Sequence, residues 1–164
     1  MICCIDSNTF IWGIKKQASA DQLDMIRRTE YLFETLDSNG DEIVIPTIVL
    51  AEVLAPEPLE KQAVISEIIS KNFRLQNFDI RAANIYGTLL MNRLEEAKKI
   101  AKASGADNQK MKADYLIVAS ALAAGATCIF STDPHILAFG NRVIEVKSIP
   151  TLPPFQPTLF SSLP

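Results

Sequence analysis

Ile2-Cys3-Cys4-Ile5-Asp6-Ser7-Asn8-Thr9-Phe10 opens the chain with four apolar residues, stops them at an acid and then turns polar. A short apolar run bounded in this way reads as a buried strand, with Asp6 at its carboxyl end. The same grammar repeats further along. Ile43-Val44-Ile45 is a second short strand stopped by Pro46, residues 73–78 form a weaker one, residues 127–131 are β-rich and residues 143–146 are the last. Helical patterns fill the intervals. Residues 21–38 place Leu23, Ile26, Tyr31, Leu32 and Phe33 near one stripe, and Thr47 is positioned to cap a helix to about Leu54 that Pro56 and Pro58 break. Further helices are expected over 59–71, about 79–103 and 114–124, with a turn at Ser38-Asn39-Gly40-Asp41 and a loop at Gly105-Ala106-Asp107-Asn108. Strands alternating with helices through short connections predict an α/β fold, a parallel sheet covered on both faces.

The 164 residues suit one domain and bury enough surface, about 69% by area scaling, to fold without staples. A hydrophobic content of 48% and a charged content of 21% exclude a disordered chain. Three cysteines, two of them adjacent, and a single histidine exclude a disulfide framework, a CxxC metal pair and any mechanism needing two histidines. That usage predicts a reducing, cytoplasmic compartment. No signal peptide and no membrane span is expected. Residues 1–147 are read as the domain, and 148–164, with five of the nine prolines, as an extended arm. The chain lacks GxxxxGK[ST], GxGxxG and GxSxG, so nucleotide hydrolases, Rossmann dehydrogenases and α/β-hydrolases have no support.

In open α/β sheets ligands sit beyond the carboxyl ends of the strands. Asp6 and Asp133 fall there by the strand assignments. Glu52 shares a helix face with Ile48 and Val49, and Asp114 precedes Ile117 and Val118 on a nearly wholly apolar helix. A carboxylate on a buried face needs a cation or several hydrogen bonds. Four carboxylates without histidine or thiol partners would make a hard, oxygen-rich pocket suited to Mg²⁺ or Mn²⁺ rather than zinc. Each acid also has a plainer reading: Asp6 in an Asx-turn, Asp133 before Pro134 as a helix cap, Asp114 as a first-turn acid. Glu52 has the least such excuse. The plainer account must hold at all four positions at once, which favours the metal reading.

These stretches resemble the signatures of PIN-domain nucleases: Asp6-Ser7-Asn8-Thr9-Phe10-Ile11 after a strand, Ile45-Pro46-Thr47 running to Ala51-Glu52-Val53-Leu54, Asp114-Tyr115-Leu116-Ile117-Val118-Ala119-Ser120-Ala121-Leu122, and Ser131-Thr132-Asp133. Each motif is short, and the resemblance, over about residues 1–147, rests on their order and spacing. It implies a PIN-like three-layer α/β/α sandwich with about five parallel strands and an acidic pocket for one or two Mg²⁺ or Mn²⁺. It further implies cleavage of RNA, as in VapC toxins of toxin–antitoxin pairs. Asp6, Glu52, Asp114 and Asp133 match the family's acids, and Asn8 and Thr132 its neighbouring polar positions. The implied partners are an RNA substrate, a cognate antitoxin and a second protomer. The chain departs from the pattern in a longer interval near 98–112, in Ile136 where an aromatic is usual, and in its Pro-rich ending.

The formal net charge is −3, yet residues 93–112 hold six basic residues against three acidic ones. Lys98, Lys99, Lys102, Lys110 and Lys112 are the candidates for the RNA backbone, with a solvated helix face laced by Glu–Lys pairs as the plainer reading. His135 reads as a surface histidine, Cys3, Cys4 and Cys128 as core filler, and Phe10 and Trp12 as core residues rather than base-stacking platforms. Apolar positions on 21–38 and 59–71 either line the core or receive a partner. Two other functions fit parts of the pattern. A non-catalytic PIN-like scaffold would bind RNA or protein without cutting. A haloacid-dehalogenase-type phosphatase would use Asp6 as nucleophile, but it wants an acid where Asn8 stands and gives Glu52 no role.

Overall fold

The computed structural model describes residues 1–103 and 108–153, with the backbone alone for 92–103 and 108–111. Five strands, β1 (Ile2–Ile5), β2 (Glu42–Pro46), β3 (Arg74–Gln76), β4 (Cys128–Phe130) and β5 (Glu145–Lys147), form one wholly parallel sheet in the order β3-β2-β1-β4-β5. Cys3 and Cys4 point to opposite faces of β1, and both are fully buried, so both faces of the sheet are covered. This is the α/β sandwich that the alternation predicts.

The covering helices are α1 (Ser7–Phe10), α2 (Leu23–Ser38), α3 (Thr47–Leu54), α4 (Leu59–Asn72), α5 (Ile80–Ala103) and α6 (Asn108–Ala123). Three features differ from the sequence reading. Helix α6 starts six residues earlier than expected, so Asp114 lies in its second turn and is no first-turn acid. Thr47 does not cap α3: Pro46 stands at that position, and Thr47 Oγ1 instead accepts a hydrogen bond from the Phe78 amide at 3.3 Å. Two wide π-type turns, Ile11–Lys15 and Ile136–Gly140, were not expected, and Lys16 ends the first in the left-handed region at φ 54°.

Phe10 and Trp12 are buried, as are all three cysteines, with Cys3 and Cys128 side by side at 3.5 Å between sulfurs. Tyr115 of α6 stacks on Phe139 with centroids 4.2 Å apart and planes 8° from parallel, which fixes α6 against the second wide turn. Beyond β5 the chain stays attached to the body. Arg28 donates from Nε to the Pro150 carbonyl at 2.9 Å and from Nη2 to the Ile149 carbonyl at 2.6 Å, and Ile149 is buried. The rest of the Pro-rich arm, 154–164, lies outside the described residues. Among the described residues no helix is long and apolar enough to cross a membrane.

Candidate active site

The strand order runs outward from β1 in both directions, toward β2 and β3 on one side and toward β4 and β5 on the other. A crevice is expected at the carboxyl end where the order switches, between β1 and β4. The register sets Ile5 beside Phe130, so the next residues, Asp6 and Ser131, face each other across that crevice.

Asp6 is 2% exposed and serves two purposes. Its Oδ1 accepts the Thr9 amide at 2.8 Å, capping α1, and its Oδ2 accepts the Ser131 hydroxyl at 2.5 Å. Asp6 is thus a helix cap rather than the Asx-turn residue of the plainer reading, and capping is compatible with a site, because it fixes the direction of the carboxylate. Ser131 Oγ also accepts the Asp133 amide at 3.0 Å, and Asp133 Oδ1 in turn accepts the His135 amide at 2.8 Å. One buried hydroxyl thus locks Asp6 and Asp133 into a common frame. Burial pushes the Asp6 carboxyl above the usual range; the Ser131 and Thr9 donors pull it down, and the charge of Asp133 raises it again.

All four acids named from the sequence line one cavity of about 380 Å³: Asp6, Glu52, Asp114 and Asp133, with Ser7 and Asn8 at its edge and Ala113, Ile117 and Ile136 as apolar wall. Asp114 is buried at 6% exposure. Glu52 reaches the same cavity for a different reason than the one inferred. It is exposed, while Val49 and Val53 take the buried face of α3, and the Ser7 hydroxyl donates to its Oε2. Thr132 is half-buried and does not line the cavity, so the hydroxyl between the acids is that of Ser131. His135 is buried, not on the surface. Of the lysine candidates, Lys112 is exposed two residues before Asp114; the side chains of Lys98, Lys99, Lys102 and Lys110 lie outside the described residues.

Among the described residues no cation, histidine or thiol lines this cavity. The charge of Asp133 opposes ionisation of Asp6, and a divalent cation, which prefers hard oxygen donors, would relieve that opposition. Among the described residues no three His, Cys, Asp or Glu side chains stand close enough to hold an ion jointly.

The fold and its switch-point crevice define a PIN-like three-layer sandwich. Solved structures with this fold include VapBC2 from Rickettsia felis bound to a DNA fragment from its promoter, at 21% identity and a TM-score of 0.57, and VapBC-1 from nontypeable Haemophilus influenzae, at 15% identity and a TM-score of 0.57. Each comparison covers 90% of this chain and 98% of the other. No protein-family model matches the chain, and no curated protein does.

Proposed function

We propose that the chain is a metal-dependent endoribonuclease, the toxin of a toxin–antitoxin pair, hydrolysing RNA phosphodiester bonds at the four-carboxylate cavity. One observation carries the reading: Asp6, Glu52, Asp114 and Asp133 converge from four separate segments of the chain on one cavity. The VapBC likeness supports the same reading at the level of fold. One or two of these acids would hold a hydrated Mg²⁺ or Mn²⁺, which when bound would supply a polarised water and neutralise charge on the phosphate under attack. Ser131 aligns Asp6 with the Asp133 backbone, Ser7 restrains Glu52, and Asn8 stands on the open side where a water or phosphate oxygen would be oriented. Attack by water uses no 2′-hydroxyl; with the 3′-oxygen as the leaving group, as in the nucleases the chain resembles, the products would be a 5′-phosphate and a 3′-hydroxyl. Both Asp6 oxygens already accept hydrogen bonds, which suits a fixed ligand better than the nucleophile of a phosphatase.

The test is cleavage of structured and single-stranded RNA with Mg²⁺, Mn²⁺ or EDTA. Metal-dependent cutting is expected; no cutting together with no metal binding would overturn the enzyme in favour of the scaffold. Ser131→Ala removes the hydroxyl that joins two acids without touching the solvent side. It is expected to lower metal affinity or activity about 10- to 100-fold, the usual cost of losing an outer-shell partner, with the fold retained by circular dichroism.

On α2 the apolar residues Met25, Leu32 and Leu36 are buried, so that helix belongs to the core. Helix α4 is different: Leu59, Val64 and Ile68 are 81%, 57% and 41% exposed. Val64, Ile65 and Ile68 line a groove of about 390 Å³ with Ile14, beside the well-covered Lys15–Glu57 ion pair. This face is proposed to pair with a second protomer, leaving the antitoxin as the regulatory partner of the assembled toxin. Val64→Glu with Ile68→Glu is expected to halve the mass measured by light scattering; an unchanged mass would remove α4 from the dimer contact.

A further inference from the structure

We infer that Lys15 is a positioning residue of the acidic cavity: its covered ion pair with Glu57 sets helix α3 against α1 and so fixes where Glu52 stands. The inference rests on the nuclease reading for the reaction it serves, and adds what holds that carboxylate in place. Glu52 is exposed, and the Ser7 hydroxyl reaches it from α1. Its place beside Asp6 and Asn8 therefore depends on how α3 lies along α1, against which it packs. Helix α3 has eight residues and runs out into Ala55-Pro56-Glu57-Pro58, where the two prolines have no amide to donate. A helix so short takes its position from tertiary contacts rather than from its own propensity.

From Ala55 to Glu60 every residue is exposed except Glu57. Its carboxylate turns inward to the Lys15 ammonium, and the side chains of Lys15 and Glu57 are only 7% and 10% exposed. The hydrogen bond and charge of Lys15 hold the Glu57 carboxyl below the usual carboxylate range, so the pair stays charged at neutral pH. Lys61 adds a second cation 3.8 Å from Glu57, and Gln62 Nε2 donates to the Glu57 carbonyl at 2.8 Å. Lys15 is a firm base for this tether. It closes the wide turn that continues from α1, and Gly13 seats that turn on α2, where Phe33 and Thr29 leave no room for a Cβ. A π-type turn takes up an extra residue, so Lys15 points elsewhere than a continued α-helix would aim it. Ser7 with Glu52 at the cavity, and Lys15 with Glu57 beyond it, are thus two rungs between the same two segments. The neighbouring Lys16–Glu30 pair is of another kind: its side chains are 47% and 42% exposed, and it leads to α2 instead.

The experiment follows RNA hydrolysis by the full chain as Mn²⁺ is raised, with the fold of each variant checked by circular dichroism. Lys15→Met is expected to raise the Mn²⁺ concentration for half-maximal rate by about tenfold or more, the usual cost of losing an outer-shell partner. Lys15→Met with Glu57→Gln leaves no charge stranded under cover, so it folds even where the single variant does not, and it should show the same rise. Lys16→Met is the control from the same turn with the same change of charge, and should move the requirement less than about twofold. A second arm reads Mn²⁺ affinity by electron paramagnetic resonance, which needs no cutting. Adding Lys15→Met to Glu52→Gln should change that affinity less than about twofold, because the residue it acts through is already gone. If the double variant cuts with the wild-type Mn²⁺ requirement, the positioning role is overturned and the nuclease stands. A rise as large in Lys16→Met, or an undiminished effect in the Glu52→Gln background, overturns it as well and leaves Lys15 a structural residue. A wild type that neither cuts RNA nor binds Mn²⁺ overturns the nuclease, and the role of Lys15 with it.

Discussion

Asp6→Asn is expected to abolish RNA hydrolysis while making the protein harder to unfold. Activity should fall by about 10³-fold or more, since a lost ligand removes several kcal/mol of transition-state stabilisation. The stability gain follows from the raised carboxyl of Asp6, whose first cause is burial. The folded chain holds that proton more tightly than the unfolded chain does, so ionising Asp6 opposes folding. Below about pH 4 the group is protonated in both states and imposes no penalty. Stability is lost as the pH rises from there through the folded value, and above it the penalty is constant. Asparagine fits without that cost: Oδ1 keeps the Thr9 amide, and Nδ2 donates to Ser131 Oγ once that hydroxyl turns. In EDTA at pH 8 the midpoint should rise by about 2–4 °C for each kcal/mol regained. Added Mg²⁺ or Mn²⁺ should raise the wild-type midpoint by mass action and leave Asp6→Asn where it was. Metal-dependent cutting by the variant, or a lower midpoint in EDTA, would show that Asp6 is a structural cap only.

Why the acids were legible and their partners were not is a matter of register. Asp6 and Asp133 end or follow apolar runs, so their place at the carboxyl rim follows from strand boundaries alone. Ser131 was within reach of the same logic, being the first residue after β4, but which residue of the Ser131-Thr132 pair faces Asp6 depends on Ile5 lying beside Phe130. A one-residue slip would exchange the two hydroxyls, and a single sequence does not carry interstrand register for strands buried on both faces. Glu52 shows the reverse case. Its cavity position was inferred from an apolar face, yet on a helix of eight residues so rich in Val, Ile and Leu the pattern cannot say which side is buried. Ser7 and the open rim place it instead. The two wide turns were missed because a five-residue π-type turn has no periodicity to detect, and Lys16 in the left-handed region carries no glycine signal.

The first of those turns yields the second large effect, Gly13→Ala. A Cβ at Gly13 would stand 2.5 Å from Phe33 Cε2, 2.6 Å from Phe33 Cζ and 2.7 Å from Thr29 Cγ2. Neither neighbour yields easily. Thr29 is fully buried and its Oγ1 donates to the Met25 carbonyl at 2.7 Å, while Phe33 is set edge-on against Phe73 at 6.0 Å. Overpacking of this kind costs about 1–3 kcal/mol, so the midpoint should drop by about 2–12 °C. The damage should also reach the site, because the turn continues directly from α1, which Asp6 caps; the metal-induced rise in midpoint should shrink. Two companions isolate the cause. Gly87→Ala, on α5 with nothing within 4 Å of the added carbon, should gain about 0.4–1 kcal/mol from the unfolded state alone. Gly13→Ala with Phe33→Leu should recover much of the loss, since the shorter side chain withdraws both ring atoms from the new methyl. If Gly13→Ala behaves like Gly87→Ala, α1 and its turn do not pack on α2 as closely as the structure has them, and the rigid seat assigned to Asp6 falls with that contact.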